Sequence, residues 1–326
     1  MNGPLDSLQR VACVIVTYNS CDVVGTCLNR LAEQEHVVEI VVVDNASADA
    51  TREVVAAAQN RSNLVGSMEI RLIANANNRG FAAAVNQGFV ATSAELVLIL
   101  NPDVTVIDPL IPVMAACQEY GLAAGRLVDA QGRTQAGFTI RRFPTATVLA
   151  FELLGLNRLL PGNRWNRQYR YLDWMSSDGV ATVDQPAGAF LMVRRDVWEK
   201  LAGWDEEFWP VWFEDVDFCK RAKQFGFQAC YIAGVRAGHL GGHSIKKIDG
   251  ASRELYWYDS LLRYAAKHFP TLHYRVICVA AVVSAVPRMG LNALREHSLE
   301  PVLNGFRIIY LSGKRLVSAK QQVSRL

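Results

Sequence analysis

The sequence lacks several patterns that would place it in common functional classes. No Gly-x-Gly-x-x-Gly follows the first apolar run and no Gly-x-x-x-x-Gly-Lys-Ser/Thr occurs anywhere, so dinucleotide and P-loop sites are poorly supported. The seven cysteines are scattered without a Cys-x-x-Cys pair, which indicates reduced thiols in a cytosolic protein rather than a disulfide framework or a zinc site. The first ten residues hold no apolar core typical of a signal peptide.

A large net charge is also absent, except near the C-terminus. From Arg275 to the end there are eight Lys or Arg and two Glu, whereas the rest of the chain has 26 basic and 29 acidic residues. A nearly neutral body argues against general nucleic-acid binding, and a basic tail suits a protein held near an anionic surface.

Long apolar runs are missing as well. The apolar run 276–286 has eleven residues and is followed by Pro287. Spanning a bilayer needs about 20 residues, so we expect a buried or interfacial helix that ends at the proline. The basic amphipathic stretches beyond it fit a membrane surface and the solvated face of a helical cap about equally well.

Short apolar runs alternate with helical patterns through the first hundred residues. Runs at 11–16, 40–43, 70–73 and 96–100 predict strands buried on both faces, with helices between them. This alternation implies right-handed crossovers and an α/β fold with a mainly parallel sheet flanked by helices. Further on, we predict a helix over 143–160, an irregular loop over 163–178, and strands at 188–193 and 228–232. A helical extension is expected to divide the chain into domains 1–250 and 251–326.

Polar residues follow each of the first four predicted strands. They are Thr17-Tyr18-Asn19, Asp44-Asn45, Asn75 to Asn78, and Asn101-Pro102-Asp103. Because the carboxyl ends of parallel strands meet at one edge, these side chains are expected to line one crevice. Asp103 there suits a hard divalent cation and the phosphates it carries, although Asn, Pro and Asp also form plain β-turns.

Two further groups lie in the second half of the chain. Glu214, Asp215 and Asp217 begin a predicted helix beside many aromatic residues. They either cap the helix, where its dipole favours acids, or include a carboxylate made more basic by apolar walls, as a general base requires. His239 and His243 flank two glycines, and imidazole binds metal or phosphate, although a lone histidine is usually structural.

In this order the motifs resemble those of the inverting family 2 glycosyltransferases of the GT-A fold, in the rhamnosyltransferase-like branch. The matching stretches cover roughly residues 11 to 245, and they are 14–19, 43–47, 77–86, 101–103, 188–191, 213–221 and 239–244. Each stretch is weak alone, and the ordered set is specific.

The resemblance implies roles for named residues. The nucleotide-binding residues would be Thr17, Tyr18, Asn19, Asp44 and Asn45, with Asn78, Gly80 and Phe81 bordering the nucleotide-sugar. Asn101-Pro102-Asp103 stands where the family has its metal-binding Asp-x-Asp motif, and here the first acid is missing. Asp103 is then the better ligand for Mg²⁺ or Mn²⁺, with His239 near the diphosphate. The base is best matched by Asp215, beside Glu214.

The implied activity is transfer of a sugar from a nucleotide-sugar to a hydroxyl group, with inversion at the anomeric carbon. The favoured donor is dTDP-L-rhamnose, and a UDP-hexose or UDP-N-acetylhexosamine is the alternative. The expected acceptor is a cell-surface polysaccharide or a lipid-linked oligosaccharide. We expect a cytoplasmic enzyme at the inner face of the plasma membrane, with peripheral membrane contact and no nucleic-acid partner. Other readings are a non-catalytic nucleotide-sugar or glycan-binding module, and a nucleotidyltransferase, which usually carries a glycine-rich phosphate loop.

Overall fold

The computed structural model describes residues 10–65, 68–174, 179–242 and 245–323. These residues form two compact units. The first unit runs to Phe143 and also includes Arg170–Pro210 and Glu214–Lys247. The second comprises Pro144–Tyr169, Val211–Phe213 and the chain from Ile248 onward. The expected domain boundary, after residue 250, thus lies close to the start of the last segment, but residues 144–169 belong to the second unit.

The first unit contains the strands. They are β1 (Val11–Thr17), β2 (Val37–Asp44), β3 (Glu69–Ala74), β4 (Leu96–Leu100), β5 (Val104–Val106), β6 (Gly121–Val128), β7 (Ile140–Arg141), β8 (Val180–Val183), β9 (Gln185–Pro186), β10 (Phe190–Arg194) and β11 (Gln228–His239). Its helices are α1 (Val24–Ala32), α2 (Thr51–Val65), α3 (Phe81–Val90), α4 (Ile111–Tyr120), α8 (Arg195–Lys200) and α9 (Glu214–Gln224). The helices of the second unit are α5 (Ala146–Leu153), α6 (Leu156–Leu159), α7 (Arg164–Tyr169), α10 (Gly250–His268), α11 (Thr271–Glu296) and α12 (Glu300–Val323).

The main sheet has the order β3-β2-β1-β4-β10-β6-β11-β5, and β8 pairs with β11. The first four strands are parallel, and β10 lies antiparallel to β4 and β6. In register, Thr17 pairs with Asp44, and Asp44 pairs with Ala74, so the strand ends meet at one edge. The predicted α/β class with a sheet flanked by helices is confirmed.

Side chains of the central strands alternate between two cores. Val11, Cys13 and Ile15 of β1 face one hydrophobic cluster, together with residues of α1, α2 and α4. Ala12, Val14 and Val16 face the other, together with residues of α3, α8 and α9. The continuous apolar runs therefore mark strands covered on both faces, as parallel sheets require.

The helices between β7 and β8 depart from the sequence-based expectations in two places. The helix predicted over 143–160 is divided into α5 and α6 by Gly155 in the left-handed conformation, and α7 lies within the predicted irregular loop. Residues 175–178 of that loop lie outside the described residues.

The prediction that Pro287 ends a helix was wrong, because α11 continues through it. Side chains on both sides of the proline hold the helix: Tyr258 Oη lies 3.0 Å from Ser284 Oγ and accepts a hydrogen bond from Arg288 Nη1 at 2.7 Å. These bonds offset the one backbone hydrogen bond that a proline removes. A 21-residue part of α11, Thr271–Leu291, is long and apolar enough to cross a membrane by length and composition, and 39% of its most apolar window is buried.

Candidate active site

The ends of β1 and β2 are joined by hydrogen bonds to one buried carboxylate. Asp44 accepts from Thr17 Oγ1 at 3.0 Å, from the Ser47 backbone N–H at 3.1 Å and from the Ser47 hydroxyl, and Arg52 Nε lies 2.6 Å from its Oδ2. The side chain of Asp44 is fully buried, whereas that of Arg52 is 42% exposed. Asp44 is therefore buried within a hydrogen-bond network at the end of β2, with Arg52 as the charged group at the surface.

The turn after β1 is hydrogen-bonded to the loop after β2. The Asn19 N–H donates to Ser47 Oγ at 2.8 Å, and Asn19 Oδ1 accepts from the Ala48 N–H at 2.7 Å. Asn19 adopts a left-handed backbone conformation, which asparagine tolerates better than most residues. Tyr18, next to it, is partly exposed at this edge.

Asn45 organises the loop after β3. Its Nδ2 donates to Asn78 Oδ1 at 2.8 Å and to the Gly80 carbonyl at 3.2 Å, and its Oδ1 accepts from the Arg79 N–H at 3.0 Å. Gly80 has a φ of 87°, and a Cβ added there would lie 2.6 Å from Trp209 Cδ1. Glycine is thus required both for the backbone conformation and for this close approach.

Phe81 fixes the start of α3 against the loop that precedes the acidic helix. Its N–H donates to the Pro210 carbonyl at 2.7 Å, and its ring lies 5.5 Å from that of Trp204. The predicted donor-site residues after β1, β2 and β3 are therefore brought to one edge of the sheet, where they hold one another in place.

Asp103 and His239 are brought together as predicted. The Asp103 Oδ2 atom lies 3.6 Å from His239 Nε2 and accepts a hydrogen bond from the Gly241 N–H at 3.1 Å. Their side chains are only 3% and 2% exposed. Burial lowers the pKa of His239, against the opposing effect of the Asp103 carboxylate. His243 lies outside the described residues.

Gln135 determines the orientation of the His239 ring. Its Nε2 donates to the His239 carbonyl at 2.7 Å, so its Oε1, 2.8 Å from His239 Nδ1, acts as an acceptor. A neutral imidazole then carries its proton on Nδ1 and directs the lone pair of Nε2 toward Asp103. Phe138 stacks on the ring at a centroid distance of 4.9 Å. Gln135 was not foreseen, because it lies 104 residues from the histidine.

Asp103 Oδ2 and His239 Nε2 face each other and can both bind a cation, but two protein ligands do not fill its coordination shell. Among residues 10–65, 68–174, 179–242 and 245–323, no group of three or more His, Cys, Asp or Glu side chains could hold a metal ion. Mg²⁺ is usually bound through one or two protein ligands together with water and substrate phosphates. The set therefore fits a cation that is held jointly with a diphosphate. Asn101, the first residue of the motif, donates its backbone N–H to Ala189 O at 3.0 Å.

Asp215 reaches the same edge from the other side. Its Oδ2 accepts hydrogen bonds from the Gly188 N–H at 2.9 Å and from Gln185 Nε2 at 3.1 Å. Since Asn101 is bonded to Ala189, the residue after Gly188, the turn that carries Asp103 and the turn that holds Asp215 are adjacent. A Cβ at Gly188 would lie 3.1 Å from that of Asp215, so glycine permits this approach.

The surroundings of Asp215 make it more basic. The residue keeps part of its surface exposed, yet loss of solvent around the carboxylate raises its pKa, and this exceeds the opposing effects of the Gly188 hydrogen bond and of the Arg141 charge. Arg141 and Gln185 are paired across β7 and β9. Neither residue was identified from the sequence, because both act through pairing of distant segments.

The other acids at the start of α9 have different surroundings. Asp217 is buried and forms an ion pair with Arg221 at 2.7 Å, and Arg221 also donates to the carbonyls of Leu201 and Gly203. Glu214 is 3% exposed. Asp217 thus anchors the helix, whereas Asp215 faces the strand edge.

Comparisons with known proteins identify relatives of this chain. The family model for Glycosyl transferase family 2 matches residues 12–201. The hexosyltransferase Agl10 of low-salt glycan biosynthesis in Haloferax volcanii is 25% identical over 224 residues, which is 67% of this chain and 62% of Agl10. The N-acetylglucosaminyl-diphospho-decaprenol L-rhamnosyltransferase of Mycobacterium tuberculosis is 26% identical over 64% of this chain and 69% of that protein. A solved structure is also similar. It is the mannosyltransferase PcManGT of Pyrobaculum calidifontis, in complex with GDP-Man and Mn²⁺, which superimposes with a TM-score of 0.52 at 15% sequence identity. The match covers 95% of this chain and 87% of the PcManGT chain, and it shows a shared fold.

Proposed function

The chain belongs to Glycosyl transferase family 2, and on that premise we propose that it transfers a sugar from a nucleotide-sugar to a hydroxyl group of a glycan or lipid-linked acceptor. The single observation that carries the proposal is the hydrogen-bonded connection from the Asp103 turn, through Asn101 and Ala189, to Gly188 and Asp215. This connection supports a single crevice in which a diphosphate lies near Asp103 and the carboxylate of Asp215 acts as the base.

The proposed reaction is a single displacement at the anomeric carbon. Asp215 takes the proton of the acceptor hydroxyl as its oxygen bonds to the anomeric carbon, and the bond from that carbon to the diphosphate oxygen breaks with its electron pair leaving on the nucleoside diphosphate. A carboxylate with a raised pKa is a stronger base for this step. One attack from the face opposite the leaving group gives inversion.

The diphosphate end is proposed to lie near Asp103 and His239. These two residues would hold a divalent cation, Mg²⁺ or Mn²⁺, which when bound stabilises negative charge on the departing diphosphate. Gln135 keeps the lone pair of His239 Nε2 directed at the site. Arg52 beside Asp44 and Arg141 near Asp215 supply positive charge. The Mn²⁺ in the PcManGT structure supports the choice of a divalent cation.

For the donor we propose dTDP-L-rhamnose, with a UDP-hexose or UDP-N-acetylhexosamine as the alternative. Support comes from the Mycobacterium tuberculosis relative, whose name specifies L-rhamnosyl transfer to a lipid-linked N-acetylglucosamine. The same name supports a lipid-linked saccharide as the acceptor.

We further propose peripheral contact with the inner face of the plasma membrane. On α11, Leu272, Val276, Val279, Val283 and Val286 recur every three or four residues, and each is at least 50% exposed. This spacing places them on one helix face. The excess of basic residues after Arg275 complements anionic lipid headgroups.

The test is a panel of nucleotide-sugars, with binding measured by calorimetry and with transfer and hydrolysis measured in the presence of Mg²⁺ or Mn²⁺. We expect dTDP-L-rhamnose to bind and to turn over, and we expect Asp103→Ala to lose metal-dependent turnover. Binding without transfer or hydrolysis would indicate a non-catalytic module, which the missing first acid of the metal motif also suggests. If a chelator leaves the rate of the wild type unchanged, the cation assignment is wrong.

A further inference from the structure

The second unit contains a cavity that the proposed chemistry does not use. Its volume is about 590 Å³, and its lining includes Trp212, the first turns of α10 and α12, and Trp257. That volume is in the range of small-ligand sites, typically about 300–1,000 Å³.

A buried amide in the lining has an unused acceptor. Asn304 is 2% exposed, and its Nδ2 donates to Glu254 Oε2 at 3.1 Å. Its Oδ1 has no hydrogen-bond partner within the part of the chain that the structure describes. A buried polar atom without a partner is costly, and this oxygen has almost no exposed surface, so it marks a polar part of the wall that a hydrogen-bond donor reaches once the side chain turns toward the cavity.

The two tryptophans supply flat apolar surface beside these acceptors. Both are partly exposed, and Trp257 is held edge-on by Tyr258 at a ring distance of 5.4 Å. Trp212 has a φ of 83°, a left-handed conformation that is costly for a residue with a side chain. Such strain is concentrated at binding and catalytic sites.

The charge of the lining selects against anions. Asp249, Glu254 and Glu300 line the cavity with one basic residue, Arg253, and Glu254 is also paired with Arg288 at 3.6 Å, so the acids still outnumber the bases at this wall by one. Carboxylates accept hydrogen bonds and repel phosphate groups. The ligand that fits is neutral, rich in hydroxyl donors, and has an apolar face to place on an indole ring, which is the chemistry of a neutral sugar.

We propose that this cavity binds a neutral saccharide of the acceptor. The identification of the ligand as acceptor rests on the proposed transferase function. In the sequence Trp212 lies three residues before the proposed base, Asp215.

The experiment measures binding of methyl glycosides of rhamnose, glucose, galactose, mannose and N-acetylglucosamine to the full chain by saturation-transfer difference NMR, without nucleotide. We expect at least one glycoside to bind, and we expect Trp257→Ala to weaken that binding about tenfold or more. Trp257→Phe should retain part of the affinity. The matched control is Trp165→Ala, since Trp165 is 45% exposed in the same unit and is not part of the lining. Glucuronate serves as an anionic probe in the same experiment, and inorganic phosphate, which has no observable protons, is tested by competition against a bound glycoside.

The outcomes separate this inference from the proposed function. Glycoside binding that depends on Trp257, in a protein without transferase activity, supports the site and rejects the enzyme. The inference is overturned if no glycoside binds, if Trp257→Ala binds as the wild type does, or if the anionic probes bind more tightly than the neutral glycosides. Transfer activity would leave the proposed function intact in each of those cases.

Discussion

Replacing Gln185 by methionine tests whether Asp215 is the catalytic base. Methionine has a similar length and volume but donates no hydrogen bond. The change removes the Nε2 donor 3.1 Å from Asp215 Oδ2 and leaves the Gly188 donor at 2.9 Å in place. A hydrogen bond to a charged group contributes about 1.5–3 kcal/mol. A change of about 1.4 kcal/mol in the free-energy difference between the ionised and protonated forms shifts the pKa of the group by one unit.

We therefore expect the acid limb of kcat/KM to move to higher pH by about one to two units in Gln185→Met. The shift is to higher pH because the Gln185 donor stabilises the ionised form of the Asp215 carboxylate. Without the donor, the pKa of Asp215 rises further, more of the enzyme is protonated at a given pH, and the rate begins to fall at a higher pH than in the wild type.

The assay is initial rate against pH at subsaturating donor, with Gln59→Met as the matched control. Gln59 Nε2 donates to the Ile70 carbonyl at 3.0 Å, so the control removes an amide donor far from Asp215. Gln185 Nε2 also donates to the Pro186 carbonyl at 2.9 Å, so some stability is lost and rates must be compared where both variants are folded. Acid limbs that superimpose, or a shift to lower pH, would refute the reasoning.

Three further predictions concern the base, a glycine and the exposed helix face. Asp215→Asn should fold and bind donor but lose roughly 10²-fold or more in kcat, and undiminished turnover would remove the residue from this role. Gly80→Ala should lower the free energy of unfolding by about 1–3 kcal/mol because its φ of 87° with ψ of 162° is strained for a residue with a Cβ, as measured by denaturant titration beside Gly162→Ala, where an added Cβ meets nothing within 4 Å. Val279→Asp with Val283→Asp should reduce sedimentation with vesicles of anionic lipid, and an unchanged bound fraction would contradict membrane contact through α11.

The first half of the fold was predictable because short stretches of sequence are sufficient to identify its strands and helices. The buried strand Leu96–Leu100 was predicted with the bounds that the structure shows, since a continuous apolar run is closed by Asn101 and Pro102. A helix between the third and fourth strands was also predicted, and the structure has α3 there, from Phe81 to Val90. Periodicity and turn residues are sufficient wherever a segment is covered on both faces by regular elements.

The remainder depended on interactions between distant segments. Pro287 is tolerated because Arg288 bonds to residues 30 and 135 positions away. Gln185, placed 30 residues before Asp215 in the sequence, reaches it only because β9 pairs with β7. Sequence patterns identify which residue types suit a reaction, but the residues that orient them are specified by tertiary pairing.

The reversed direction of β10 has a consequence for how such a crevice diversifies. The proposed donor side is built from segments that leave parallel strands, whereas Gly188 and Gln185 lie on the segment that enters an antiparallel one. These separate segments meet where the Asn101 N–H donates to the Ala189 carbonyl, next to the Asp103 turn. A change upstream of β10 that alters the proposed acceptor side must therefore keep the Ala189 carbonyl and the two donors to Asp215 in place.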